Sequence, residues 1–171
     1  YFAGCLNLTT IHLNHNHLKA MPNLEAVSQT INGAFFNYNY IYDLSLFYGI
    51  RFPKLYSIGL GHNSIYDFDF VNQMRLFPTL QYLFLFSNQL TSMDEFRVEL
   101  NSGLHIVLDG NPWHCNDSLA WILSPSTEDL EQGGRVFGFV ELRAEDRMTC
   151  WSPPTLREIP LWELGTHIVS A

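Results

Sequence analysis

The chain has 171 residues, 47% apolar and 15% charged, with 9 Lys+Arg against 17 Asp+Glu for a net charge of −8. So few charges among so many apolar side chains exclude intrinsic disorder, and the length suits one domain with a small appendage. An acidic chain without a Lys/Arg run is a poor partner for nucleic acid or anionic lipid, so no nucleic-acid partner is expected, and no apolar run is long enough to span a bilayer.

The first residues, Tyr1 to Leu8, show no basic stretch followed by an apolar one, so no signal peptide is visible. From Leu8 onward a period dominates. Asn16, Asn39, Asn63, Asn88 and Asn111 are separated by 23, 24, 25 and 23 residues. Leu8, Ile11, Leu13, Asn16 and Leu18 spell L-x-x-L-x-L-x-x-N-x-L. The pattern returns with Ile31, Ala34, Phe36, Asn39 and Ile41, then with Leu55, Ile58, Leu60, Asn63 and Ile65, then with Leu80, Leu83, Leu85, Asn88 and Leu90. A fifth copy, with Ile106, Leu108, Asn111 and Trp113, is degenerate, because Gly103 stands where its first Leu belongs.

Apolar residues two apart, such as Leu83 and Leu85, point to one side of a short strand. So short a strand must pair with its equivalent in the next copy. The Asn amide is suited to hydrogen-bonding backbone groups as the chain turns away. Ordering one copy costs roughly 1–2 kcal/mol per residue, whereas each of its half-dozen buried side chains returns only about 1.5–3 kcal/mol. A lone copy therefore cannot fold, and stacking is compulsory. Between copies, Met21-Pro22-Asn23-Leu24, Phe52-Pro53-Lys54-Leu55 and Phe77-Pro78-Thr79-Leu80 each place Pro two residues before Leu. These returns are expected to be irregular or to hold only a helical turn.

This pattern resembles leucine-rich repeats of the extracellular type. The resemblance implies an α/β repeat solenoid: an arc with a parallel sheet on its concave side, five repeats over residues 1–110, and a C-terminal cap over 111–171. The cap is carried by Asn111-Pro112-Trp113-His114-Cys115 and by Cys150-Trp151-Ser152-Pro153-Pro154-Thr155-Leu156-Arg157. They are similar to the N-P-W-x-C start and C-x-x-P-x-x-L-R end of the family's capping domain, with Leu119, Trp121 and Ile122 covering the last repeat's flank from a short helix. The family pattern has C-x-C and four cysteines in two bridges. Here Asp117 replaces the second Cys and none follows Cys150, so the resemblance leaves Cys115 and Cys150 as the expected pair; two free thiols are the alternative. Cys5 lies where a copy holds an apolar residue, so a buried free thiol is expected, pairing with an upstream segment being the alternative. The N-x-S/T sequons at Asn7 and Asn116 are candidate glycosylation sites that agree with secretion. Tyr1 to Leu8 read as the back half of an earlier repeat, so a fragment of a longer protein is expected. The charged segment from Thr127 to Thr149 fits no template and is expected to be a surface excursion.

No catalytic motif is present, and neither a cofactor nor a metal site is expected. Gly59-Leu60-Gly61-His62-Asn63-Ser64 half-resembles a phosphate loop but lies on the repeat template with no basic residue near. His12, His15 and His17 cluster in sequence, yet the template sends His12 to the concave side and His17 to the turn, so the imidazoles should diverge. The concave positions are Thr10, His12, Asn14; Gly33, Phe35, Asn37; Ser57, Gly59, Gly61; Tyr82, Phe84, Phe86; and His105, Val107, Asp109. His15, Tyr38, His62, Ser87 and Gly110, just before each Asn, join them. With one charge, Asp109, this surface does not suit acidic ligands. Tyr82, Phe84 and Phe86 are expected to form an exposed ridge beside a hollow left by Gly59 and Gly61.

The expected function is protein or peptide binding through Tyr82, Phe84, Phe86, Phe35, Tyr38, His62, His105 and Asp109. The resemblance extends to the ectodomain ends of invertebrate adhesion and innate-immune receptors of the Toll-like, chaoptin-like and Slit-like class. A matrix protein whose repeats self-associate is the alternative. The expected location is extracellular, with any membrane attachment through a segment outside this chain.

Overall fold

The computed structural model describes residues 2–93, 104–115, 119 and 148–160. Five three-residue strands, β1 (Thr10–His12), β2 (Gly33–Phe35), β3 (Ser57–Gly59), β4 (Tyr82–Phe84) and β5 (His105–Val107), form one parallel sheet in sequence order. Their register is uniform: Ile11, Ala34, Ile58, Leu83 and Ile106 lie side by side, and all five are buried. Each strand therefore buries its middle residue and turns its first and third residues to the opposite face. Two residues further on, Phe36, Leu60, Leu85 and Leu108 enter the same core.

The connections back to the next strand differ from one another among the described residues. The first holds a 3₁₀ turn, Glu25–Val27, and the third holds the two-turn helix α1, Phe70–Leu76. That helix is longer than the single turn expected from the proline spacing. Asp69 caps it, its carboxylate accepting the Asn72 N–H at 3.0 Å, and Pro78 lies just beyond its end. Phe47, Phe52 and Phe77 from successive connections meet at ring-centroid distances of 5.3–5.7 Å, closing the core on the side away from the sheet.

Beyond each strand the chain makes the same turn. His15, Tyr38, His62 and Ser87 adopt left-handed backbone conformations with φ of 52–58°, and Gly110 does so at 66°. Four side-chain-bearing residues thus occupy a conformation that costs roughly 1–2 kcal/mol each. The turn is held because it aims the following Asn inward. Asn63 donates from Nδ2 to the Phe36 carbonyl of the preceding copy and to the Leu60 carbonyl of its own, both at 3.0 Å. Its Oδ1 accepts the Ile41 N–H at 2.9 Å. Asn39, Asn88 and Asn111 repeat this three-way arrangement with Leu18, Ile65 and Leu90 as the donors. Asn16 differs: it is exposed and donates only to the Leu13 and Asn14 carbonyls.

The core continues past β5 through Trp113, fully buried, with Cys115, Leu119, Met148 and Cys150 in the same cluster. A second parallel pair, β6 (Trp113–His114) with β7 (Cys150–Ser152), is joined by a disulfide between Cys115 and Cys150. Trp121, Ile122 and the segment 127–147 lie outside the described residues, as does the sequon at Asn116. Asn7 is exposed. Cys5 is also exposed and unbridged, contrary to the expected burial, because the chain before Leu8 runs through two turns outside the sheet. Among the described residues no helix is long and apolar enough to cross a membrane.

Candidate functional site

The solvent-facing side of the five-stranded sheet carries three runs of rings contributed by neighbouring copies. Across the left-handed turns, His15 stacks on Tyr38 at 4.4 Å and Tyr38 on His62 at 4.3 Å, with planes 9° and 16° apart. The edge of the Phe86 ring extends this column, 5.2 Å from His62. In the strands, His12 stacks on Phe35 at 4.8 Å. Tyr82 lies between Tyr56 and His105, at 5.4 and 5.1 Å. The parallel register creates these columns, since it sets equivalent side chains one strand spacing apart.

Two expectations are corrected by the packing. Tyr82, Phe84 and Phe86 are half-buried, whereas the rings of Tyr38, Tyr56, His12, His15 and His62 are exposed. The hollow expected at the third strand is filled. A Cβ on Gly61 would collide with the Phe86 ring, and one on Gly59 would lie 2.6 Å from Asn37 Nδ2. These glycines thus make room for neighbours' side chains rather than for a ligand. Asn37 is held there from both sides: its N–H donates to Asn14 Oδ1, and its Oδ1 accepts the Gly61 N–H, each at 2.8 Å.

The histidines do part company, as each pairs with a different ring of the next copy: His12 with Phe35, His15 with Tyr38, His17 with Tyr40. Among the described residues no three His, Cys, Asp or Glu side chains are grouped so as to hold a metal ion. His105 and Asp109 sit half-buried at and just beyond the fifth strand, and Phe35 half-buried in the second. The face carries no Lys or Arg at its strand and turn positions. Its polarity comes from imidazoles, phenols and amides. The Tyr56 phenol is pushed above its ordinary value by desolvation and by its hydrogen bond with Tyr82. Tyr56 was not anticipated; it lies one residue before β3, outside the six-, four- and two-residue offsets that mark the strand positions. No family model matches this chain, and no curated protein matches it.

Chemically the face combines apolar ring area with polar rims. Ring faces already stacked in columns present apolar area with little further loss of side-chain freedom, and phenol and imidazole groups at their rims supply donors and acceptors.

Proposed function

We propose that this chain is an extracellular leucine-rich repeat module, an arc of stacked repeats ending in a cysteine cap, that binds a protein or peptide on the concave, solvent-facing side of its parallel sheet. The repeat reading is supported by the uniform register of five strands and by four buried asparagines making equivalent bonds. The disulfide between Cys115 and Cys150 favours an oxidising compartment. One observation carries the binding reading: the exposed column His15–Tyr38–His62, three ordered rings in contact on a face free of Lys and Arg. Aromatic anchors dominate binding energy at interfaces.

Substituting Tyr38→Asn and His62→Asn together tests this, because Asn tolerates the left-handed turn and so removes the rings without breaking the backbone. Against an array of secreted and cell-surface ectodomains, the substituted chain is expected to lose a partner that the parent captures, by at least about 2 kcal/mol, the threshold for an anchor residue. Its melting temperature should stay close to the parent's. Equal capture by both chains would refute the assignment of the face. Concentration-dependent light scattering that the substitutions abolish would instead identify a second copy of this chain as the partner.

A further inference from the structure

A different part of the surface carries a second site. Aligning the copies on their asparagines shows that Ile41-Tyr42-Asp43 and Ile65-Tyr66-Asp67 occupy the same positions, 24 residues apart. The flanking copies hold Lys19-Ala20 and Thr91-Ser92 where these two hold Tyr-Asp. Both doublets line one cavity of about 250 Å³, together with Ser45 and Tyr48. The cavity lies past the asparagine turns and shares no residue with the ring columns.

The lining has a definite chemistry. Three phenol-bearing rings and two carboxylates converge, and no Lys or Arg is among the lining residues. Stacking the repeats does not call for this: like charges at neighbouring positions disfavour the pairing, and Tyr42 and Tyr66 remain 53% and 66% exposed. Asp43 is held below the ordinary carboxylate range by the Ser45 hydroxyl and then by the Ser45 N–H, which donates to Oδ1 at 2.8 Å, and it is charged at neutral pH. The Tyr48 phenol is pushed up to about 12, chiefly by burial, so it stays neutral and donates to the Asp67 carbonyl at 3.4 Å. A divalent metal would need six or more oxygens, whereas aromatic walls favour a bulky ion of low charge density. The volume suits a head group rather than a whole drug-sized molecule.

We infer that this cavity binds the head group of an organic monocation, a quaternary ammonium or a guanidinium, against Tyr42, Tyr48 and Tyr66 with Asp43 and Asp67 as counter-charges. Such a group belongs either to a free small molecule or to a cationic side chain of a peptide, and the test separates the two. Choline, its uncharged carbon isostere dimethylbutanol, the capped peptide acetyl-Gly-Arg-Gly-amide and calcium are each titrated into the isotope-labelled chain, following amide shifts. Choline or the arginine peptide is expected to move the amides of residues 42–48 and 66–67, with the isostere binding about tenfold more weakly. A response to choline alone identifies a free cation, and a response to the peptide alone identifies a partner's side chain. Tyr66→Leu and Asp43→Asn are each expected to weaken the responding cation severalfold with an unchanged melting temperature. Equal binding of choline and its isostere, preference for calcium, or no response to either organic cation would overturn the inference.

Discussion

Replacing Asn63 with Ala is expected to lower the unfolding free energy by about 2–3 kcal/mol, because a buried polar group left unpaired costs about 1–3 kcal/mol. The substitution leaves the Ile41 N–H without its partner and takes one of two amide bonds from the Phe36 carbonyl, which keeps Asn39, and from the Leu60 carbonyl, which keeps Asn88. All three belong to backbone in the interior of the stack, where water cannot readily replace the amide, and a void the size of the lost group adds to the loss. Asn16→Ala is the internal control. Asn16 is exposed and bonds only to carbonyls of its own turn, so its removal should cost no more than about 1 kcal/mol. Urea unfolding of the two variants measures the contrast. Equal losses would mean that the asparagines act only within their own turns and do not join one copy to the next.

Removing the disulfide, as Cys115→Ala with Cys150→Ala, is expected to cost about 3–4 kcal/mol. The bridge closes a loop of 35 residues, and the entropy withdrawn from an unfolded chain by a loop of that length has this magnitude. The native state should keep its local geometry, since the pairing of β6 with β7 and the Cys115 N–H bond to the Ser152 carbonyl at 2.7 Å do not depend on sulfur. The same denaturant series measures it, with the parent under reducing conditions as a second route to the open loop. A loss below about 1 kcal/mol would show that the segment between the cysteines is already constrained when unfolded.

The sheet was legible in the sequence because a strict period leaves little freedom. Once Leu13, Phe36, Leu60 and Leu85 share a register with their asparagines, the order of pairing follows. The left-handed turns were not legible. Only Gly110 announces one; His15, Tyr38, His62 and Ser87 are residue types that ordinarily avoid it, held there by the asparagine that follows. Reading Gly59 and Gly61 as a hollow failed for a related reason. A missing side chain was visible in the sequence, but the neighbours that fill its space, Asn37 and Phe86, depend on rotamers set by the adjacent strand. Helix α1 could have been found from Asp69 and Asn72, which form its capping pair. The paired Tyr-Asp doublets lie in plain register, three and four residues after Asn39 and Asn63, but only the folding of the connections that follow brings Ser45 and Tyr48 beside them to close the cavity.

Amide hydrogen exchange at Ile41, Ile65 and Leu90 tests the central claim most directly, since each N–H is bonded to the asparagine of the following copy at 2.9–3.0 Å. If the copies fold only as a joined stack, these three amides exchange at one common rate set by global unfolding, and all three slow together when stability is raised. Three separate rates, with any of these amides exchanging through a local opening well below the global free energy, would contradict it.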